Sequence, residues 1–314
     1  MKSFEEIYNE LENENNNQLN DSWKEANKER NKAKKISVIT CLIIDIFFIL
    51  FFVKSGMTLF SLPLLMFALV SNLIACTVVT ISCSKNYNKY NIEYKNIIIN
   101  KLMNNFYNNV EYFPNKEMPE YIYQNAKYNE YYDEYESEDY MEAYINEKYS
   151  IQMAEILTQE EEKYTDSDGD EHTRMVTKFN GLFAKIIMHK SINGELRIAQ
   201  NRTIYSKNKL EMDSSEFEKY FDVEVSDKIK GMQILTADVM EELITFQNNT
   251  NVEYDIFIKD NELYLRFHCG EIFEAGKLKK GPFDKETVKK YFYMLNFTYN
   301  LSNKLINVIN DVMI

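Results

Sequence analysis

The sequence is poor in the residues that build most recognisable sites. Its 314 residues include only 8 Gly, 4 Pro, 4 Cys, 3 His and 1 Trp. No Gly-rich phosphate-binding loop is present, and no histidine has a metal-ligand companion at helical or turn spacing. The cysteines have neither zinc-site nor disulfide-framework spacing, which suits a reducing compartment. We therefore expect no catalytic residue, no metal and no cofactor.

Two local patterns come closest to a site. Asp166–Asp170 resembles part of a calcium loop, but its glycine falls at the fourth position instead of the sixth, which favours a hairpin turn. His268 and Cys269 are adjacent, so on a strand their side chains point to opposite faces. A nucleophile and its base need mutual contact, so this pair is not expected to be catalytic.

Positive charge is also scarce in one region. The net charge is −13, and residues 111–172 hold only 4 basic against 19 acidic side chains. Such a band repels phosphate, so nucleic acid is not an expected partner.

Long apolar runs are present instead. Residues 36–53 and 58–83 are two such runs, separated by the short segment 54–57. Each is close to the ~20 apolar residues that a helix needs to cross ~30 Å of hydrocarbon. We predict a transmembrane hairpin over 36–84, with the lipid bilayer as a partner. The alternative is a buried helical hairpin of a soluble protein.

Basic residues flank both runs. Those before the first run and after the second are Lys24, Lys28, Arg30, Lys32, Lys34, Lys35, Lys85, Lys89, Lys95 and Lys101, whereas the connecting segment offers only Lys54. Basic residues near a span favour the cytoplasmic side. We predict a cell-membrane location with two spans and both termini cytoplasmic.

Three polar residues lie within the predicted spans. Asp45 is in the first, and Ser71 and Asn72 are in the second. If both helices centre on the bilayer midplane, the three lie at similar depth, whereas a register set by the tight loop would place Asp45 opposite Met66. We interpret them as an intramembrane polar contact within the hairpin or between copies, in preference to a transport site.

The remaining chain divides into three segments. Residues 1–35 form a polar cytosolic helix with a break near the Asn-rich stretch 13–17, and residues 85–113 form a membrane-proximal helix that Pro114 ends. Residues 114–314 form a cytosolic domain. Its first part, 117–149, mixes Tyr with Glu and Asp, which favours short helices with a solvated acidic face.

The apolar period then changes from helical to strand-like. Strands are expected over 149–158, 174–189 and 196–199, a helix capped by Asp213, a strand over 221–225 and a helix from Thr236. A hairpin about Asp260-Asn261 and a closing helix over 284–313 follow. Strands and helices without strict alternation indicate an α+β fold with a mainly antiparallel sheet and flanking helices.

Two motifs within this domain resemble a known family. Phe179-Asn180-Gly181-Leu182-Phe183 is similar to its Phe-x-Gly-x-Phe element, and residues 212–223 are similar to its central signature. The family (DUF3137) is bacterial, membrane-associated and known only as a domain of unknown function. The resemblance covers roughly residues 85–300 and implies one domain, with no catalytic residues. Gly181 is expected at a bend or bulge.

Three functional hypotheses follow. The favoured one is a membrane-anchored, non-enzymatic scaffold or sensor that binds a ligand or an unknown protein partner. The second is an accessory subunit of a membrane transport or envelope complex that assembles through the hairpin, including by self-association. The third is an enzyme with an unrecognised site, which a cluster of carboxylates in one pocket would favour.

Overall fold

The architecture is that of an antiparallel sheet with flanking helices, in a computed structural model that describes residues 1–14, 17–55, 62–126, 128, 130–167, 169–200 and 208–313. The helices are α1 (Phe4–Asn13), α2 (Asn17–Ser55), α3 (Leu62–Tyr94), a π-helical turn (Lys95–Ile99), α4 (Asn100–Phe106), α5 (Glu120–Gln124), α6 (Ser215–Glu218), α7 (Lys228–Ile234), α8 (Ala237–Thr250) and α9 (Lys285–Val312). The strands are β1 (Asn108–Phe113), β2 (Glu134–Ile145), β3 (Tyr149–Thr165), β4 (Glu171–Ile187), β5 (Glu195–Gln200), β6 (Lys209–Leu210), β7 (Phe221–Val225), β8 (Glu253–Lys259) and β9 (Glu262–His268).

These described strands form one sheet in the order β1-β2-β3-β4-β9-β8-β5-β7-β6, and each neighbouring pair is antiparallel. The predicted α+β class with a mainly antiparallel sheet and flanking helices is confirmed. The turn signals account for two hairpins: β3–β4 closes at residues 166–170, of which residue 168 lies outside the described part of the chain, and β8–β9 closes at Asp260-Asn261.

The chain folds into two compact units. The first, here called the sheet unit, contains residues 1–7, 98–273 and 288–314; the second, the hairpin unit, contains residues 8–97 and 274–287.

In the sheet unit, an aromatic cluster packs α8 and α9 on one part of the sheet. The rings of Phe246 and Phe297 stack with centroids 3.6 Å apart, and both contact Tyr254 and Phe267. The hydroxyl of Tyr254 donates to the carbonyl of Leu243 at 2.7 Å, so its buried polar end is satisfied.

Gly181 has a packing role that differs from the predicted bend or bulge. It pairs regularly with Ile156, and the irregularity in the β3–β4 ladder lies at Thr158/Gln159 instead. A Cβ built on Gly181 would overlap the carbonyl oxygen of Phe267 on β9. The residue is therefore small because two strands approach closely there.

In the hairpin unit, residues 274–287 pack on the helices. Lys95 is 1% exposed, and its Nζ lies 2.5 Å from an oxygen of Glu274. Trp23 donates its indole N–H to the carbonyl of Leu278 at 2.9 Å, and Tyr87 donates to the carbonyl of Ala275 at 3.0 Å.

Helices α2 and α3 carry the predicted spans. Apolar side chains on both are largely exposed: Ile36, Val38, Ile39, Leu42, Ile43, Ile46, Phe47, Ile49, Leu50, Met66, Leu69, Val70, Leu73 and Ile74. Within the described ranges, none of the helices combines the length and the apolar character needed to cross a membrane. Residues 56–61, which contain half of the predicted turn and the start of the second predicted span, lie outside the described part of the chain.

Two helical predictions were wrong. The helix predicted over residues 85–113 ends at Phe106, because residues 108–113 form β1 and gain ladder hydrogen bonds from β2. Among the described residues of segment 117–149, α5 is the one helix, and most of the segment from Glu134 onward is strand β2. In both places tertiary pairing outweighs local helical preference.

The cap of α6 also differs from the prediction. Ser214, not Asp213, is the N-cap, and its hydroxyl accepts the backbone N–H of Phe217 at 3.2 Å. Thr236 caps α8 as predicted, accepting from the N–H of Val239. The break in the N-terminal helix falls between Asn13 and Asn17, where residues 15 and 16 are outside the description.

Candidate functional site

The β8–β9 hairpin places two opposite charges side by side in the sheet. Its two-residue turn at Asp260-Asn261 sets a register in which Asp255 lies directly opposite Arg266. Both are buried, at 6% and 3% exposure. Directly opposed residues in an antiparallel pair have side chains on the same face, so the ion pair follows from the register.

Arg266 is the centre of a hydrogen-bonded network. Its Nε and Nη2 lie 2.9 and 2.5 Å from one oxygen of Asp255, and its Nη1 donates to Glu130 at 2.6 Å and to the hydroxyl of Tyr123 at 3.3 Å. Its guanidinium carbon also lies 3.9 Å from the ring centroid of Tyr128. A buried guanidinium is tolerated when its donors and charge are matched in this way.

Asp255 is held ionised by its neighbours. Burial by itself raises the pKa of this carboxyl, but the hydrogen bond to His268 and the charge of Arg266 lower it to about 2. The His268 Nε2 lies 3.4 Å from the same carboxylate oxygen. His268, which the sequence analysis set aside as half of a nucleophile pair, therefore belongs to an ion network.

The two aromatic rings of the Phe-x-Gly-x-Phe motif pack against this network. Phe179 stacks on Tyr123 with centroids 5.8 Å apart, and Phe183 meets the same ring edge-on at 5.2 Å. The Arg266 guanidinium carbon lies 5.2 Å from the Phe179 centroid. The motif residues thus support the buried arginine from the sheet side.

A cavity of about 370 Å³ opens next to the network. It is lined by Glu120, Tyr123, Gln124, Tyr128, Glu130, Tyr131 and Tyr132. All lie in the acidic, Tyr-rich segment 117–149, and none of these described lining residues is a lysine or an arginine; Lys127 lies outside the described part of the chain. Four aromatic rings and two carboxylates therefore face one space.

A second acidic group lies elsewhere in the sheet unit. Carboxylate oxygens of Glu138, Asp139 and Glu155 all fall within 4.8 Å of one another. The irregular β2–β3 register between Glu138 and Met141 brings the first two to this place, and one Glu155 oxygen accepts the N–H groups of Ile272 and Phe273 at 2.7 and 2.9 Å. Oxygen ligands of this kind suit hard cations, and close carboxylates can share a proton.

Asp45, Ser71 and Asn72, the polar residues of the two apolar stretches, lie on α2 and α3. Asn72 donates its amide N–H to Asp45 at 3.0 Å across α2 and α3. Ser71 precedes Asn72 on α3, and one helical turn beyond Asn72 the Cys76 sulfur lies 3.3 Å from the Ser37 hydroxyl. Asp45 therefore lies against Asn72 in the hairpin.

Sequence reasoning missed Arg266, Asp255 and Glu130. A signal for the first two exists, because each interrupts a run of buried apolar residues on a strand of a hairpin whose turn was predicted. Glu130 gives no such signal, since it lies more than a hundred residues away and joins the network only through the fold.

One family model matches the chain. Residues 177–306 match the family described as "Protein of unknown function (DUF3137)". This range contains Phe179, Phe183, Asp255, Arg266 and His268, but not the Tyr-rich segment. No curated protein and no solved structure matches the chain.

Proposed function

We propose that this protein is a membrane-anchored, non-enzymatic sensor or scaffold whose sheet unit faces the cytosol. The observation that carries the proposal is the exposed apolar surface of α2 and α3. Isolated exposed apolar residues are common, but a patch this extensive on one pair of helices is typical of a surface that water does not contact.

Charge supports the orientation. The helical residues next to the apolar stretch carry Lys32, Lys34 and Lys35 on α2 and Lys85 and Lys89 on α3. Basic residues at this distance from a span favour the cytoplasmic side. Both termini are therefore proposed to be cytoplasmic. The membrane is proposed to be a bacterial cell membrane, as the resemblance to the family implies.

The sheet unit supports the binding role. Its buried Arg266 donates hydrogen bonds from all three guanidinium nitrogens, which suits a rigid support better than a reacting group. The cavity beside it is of the size of a small-molecule site. This combination favours recognition of a ligand or partner.

Protease protection tests this proposal. The full-length chain is expressed in a bacterial host, and spheroplasts are treated with an external protease before and after permeabilisation. The acidic segment 111–172 is expected to be cleaved only after permeabilisation, and the protein is expected to stay in the membrane pellet after an alkaline wash. Cleavage in intact spheroplasts, or complete release by the wash, would overturn it.

An accessory-subunit role has one observation in its favour. Asp45 is exposed on the surface of α2 while it accepts from Asn72. A carboxyl in an apolar environment gains from a further polar partner on another chain. Crosslinking in membranes tests this: Asp45→Leu should abolish a crosslinked species, and an unchanged pattern, or no crosslinked species in the unchanged protein, would exclude it.

A further inference from the structure

We propose that the cavity lined by Tyr123, Tyr128, Tyr131, Tyr132, Glu120 and Glu130, here called the tyrosine cavity, binds an organic cation of the alkylammonium class. The inference specifies the ligand of the binding module proposed above and rests on that role. Its basis is the joint presence of aromatic rings and carboxylates around one partly open space.

Three of the rings that line the cavity contact one another at inclined angles. Tyr123 has its centroid 5.9 Å from that of Tyr128 and 6.1 Å from that of Tyr132, with interplanar angles of 38° and 59°. Ring faces carry negative electrostatic potential, and ammonium groups bind within ~6 Å of ring centroids. The Arg266 guanidinium, 3.9 Å from the Tyr128 centroid, shows that a ring of this cavity already contacts a cation.

The two carboxylates are fixed by their own contacts. Glu120 accepts from the Tyr132 hydroxyl at 3.0 Å and from the Gln124 amide at 2.9 Å. Glu130 accepts from Arg266 at 2.6 Å. Their positions therefore do not depend on a ligand, which lowers the entropic cost of binding one.

Among the described residues, the charge balance favours a cation despite the nearby arginines. Arg266 is matched by both Asp255 and Glu130, which leaves that group negative. Arg197 lies farther away, with its guanidinium carbon 5.8 Å from the Tyr128 centroid and 4.7 Å from that of Phe257.

Two more carboxylates add to the negative side. Glu120 lines the cavity, and Asp133 accepts from the Tyr131 hydroxyl at 2.6 Å. An anionic ligand would be repelled by these carboxylates. To pair with Arg266, it would also need to displace Glu130. The site therefore selects against anions.

The size of the cavity limits the ligand. About 370 Å³ lies at the lower end of the range for small-molecule pockets. It accommodates a quaternary ammonium of the size of choline or the end of a lysine side chain. Both sources present the same alkylammonium chemistry.

A pair of probes that differ only in charge provides the test. Choline and its neutral isostere 3,3-dimethyl-1-butanol are titrated into the full-length protein in detergent and followed by isothermal calorimetry. Choline is expected to bind in the millimolar range or tighter, at least about threefold tighter than the isostere, as exposed cation–π contacts allow. A lysine-containing tripeptide is titrated in the same way, and comparison of its affinity with that of choline distinguishes a lysine side chain from a free small molecule as the ligand.

Surface variants locate the site. Tyr132→Leu removes a ring and Glu120→Gln removes a charge, and each is expected to weaken choline binding at least about threefold. Matched controls are Tyr121→Leu and Glu117→Gln, which change exposed residues of the same types outside the cavity lining. Thermal unfolding of each variant confirms that it is folded. Tyr131→Leu is a further test of the same kind, because the ring of Tyr131 is 67% exposed and its removal should not disturb the fold.

Equal binding of choline and the isostere, or no binding by choline or the tripeptide in the millimolar range, would overturn the proposal. So would equal loss in the control variants. The alkaline-wash experiment on the same protein separates the two failures: retention in the membrane without cation binding rejects the tyrosine cavity but leaves the membrane-anchored role standing.

Discussion

The hairpin unit and the sheet unit distribute apolar and charged side chains in opposite ways. Helix α2 exposes Ile43 at 62% and Phe47 at 65%, whereas the sheet buries Arg266 at 3% and Asp255 at 6%. Each of these distributions carries a cost in free energy. An exposed apolar patch is unfavourable in water, and a buried charge is unfavourable without a partner.

The difference indicates what stabilises each region. In the sheet unit, the hydrogen bonds that Arg266 donates to Asp255, Glu130 and Tyr123 replace those it would make to water. In the hairpin unit, the surroundings proposed for α2 and α3 are lipid, which removes the cost of apolar exposure.

The largest expected effect is that of Arg266→Met. It leaves the Asp255 carboxylate buried without its cation, so the free energy of unfolding should fall by about 3–5 kcal/mol. Urea denaturation of the full-length protein in detergent, followed by near-ultraviolet circular dichroism, measures the change. A loss below about 1 kcal/mol would contradict the importance of the buried pair.

A second variant separates charge from packing. Adding Asp255→Leu to Arg266→Met removes the uncompensated carboxylate, so part of the lost stability should return. If the double variant is as unstable as the sum of the two single changes, the loss is due to packing and not to charge.

Ile43→Asp tests the other region. On insertion scales an Asp at a helix centre costs about 3 kcal/mol, whereas an exposed position in water tolerates this change within about 0.5 kcal/mol. The fraction of protein that remains in the membrane pellet after an alkaline wash should fall, with Ile43→Leu as the control. An unchanged pellet fraction would argue against lipid contact at this face.

Acid should weaken the sheet unit through Asp255. Its pKa is about 2 in the folded protein and 3.8 is its ordinary value, so its contribution is complete above pH 3.8 and is lost as the pH falls towards 2. The shift corresponds to about 2 kcal/mol. Unfolding measured between pH 5 and pH 2 should show this loss, and an Asp255→Asn variant should lack that component. Parallel pH profiles would contradict the assignment.

Much of the fold is readable from local signals. The Asp-Gly and Asp-Asn turns predict the β3–β4 and β8–β9 hairpins, and Thr236 predicts the start of α8. These signals act within a few residues, so a single sequence contains them. The helical period of α9 from Lys285 to Val312 is readable for the same reason.

The failures occur where distant parts of the chain decide the structure. Val110 continues a helical stripe that includes Met103 and Phe106, yet it lies on β1, which pairs with β2. The tyrosine cavity depends on Tyr123 meeting Phe179 and Arg266, which are distant in sequence. Composition marks the segment as aromatic and acidic, but only the fold shows that its rings surround one space.

The smallest effect is expected for Arg174→Met, which removes an ion pair from the same sheet. Arg174 donates to Glu162 at 2.8 Å on the exposed part of the β3–β4 hairpin. Water screens this pair and solvates Glu162 once it is alone, so the shift in the denaturation midpoint should be less than roughly a quarter of that for Arg266→Met. Comparable shifts would mean that burial does not distinguish the two arginines, and the contrast between the regions would then rest on the exposed apolar helices alone.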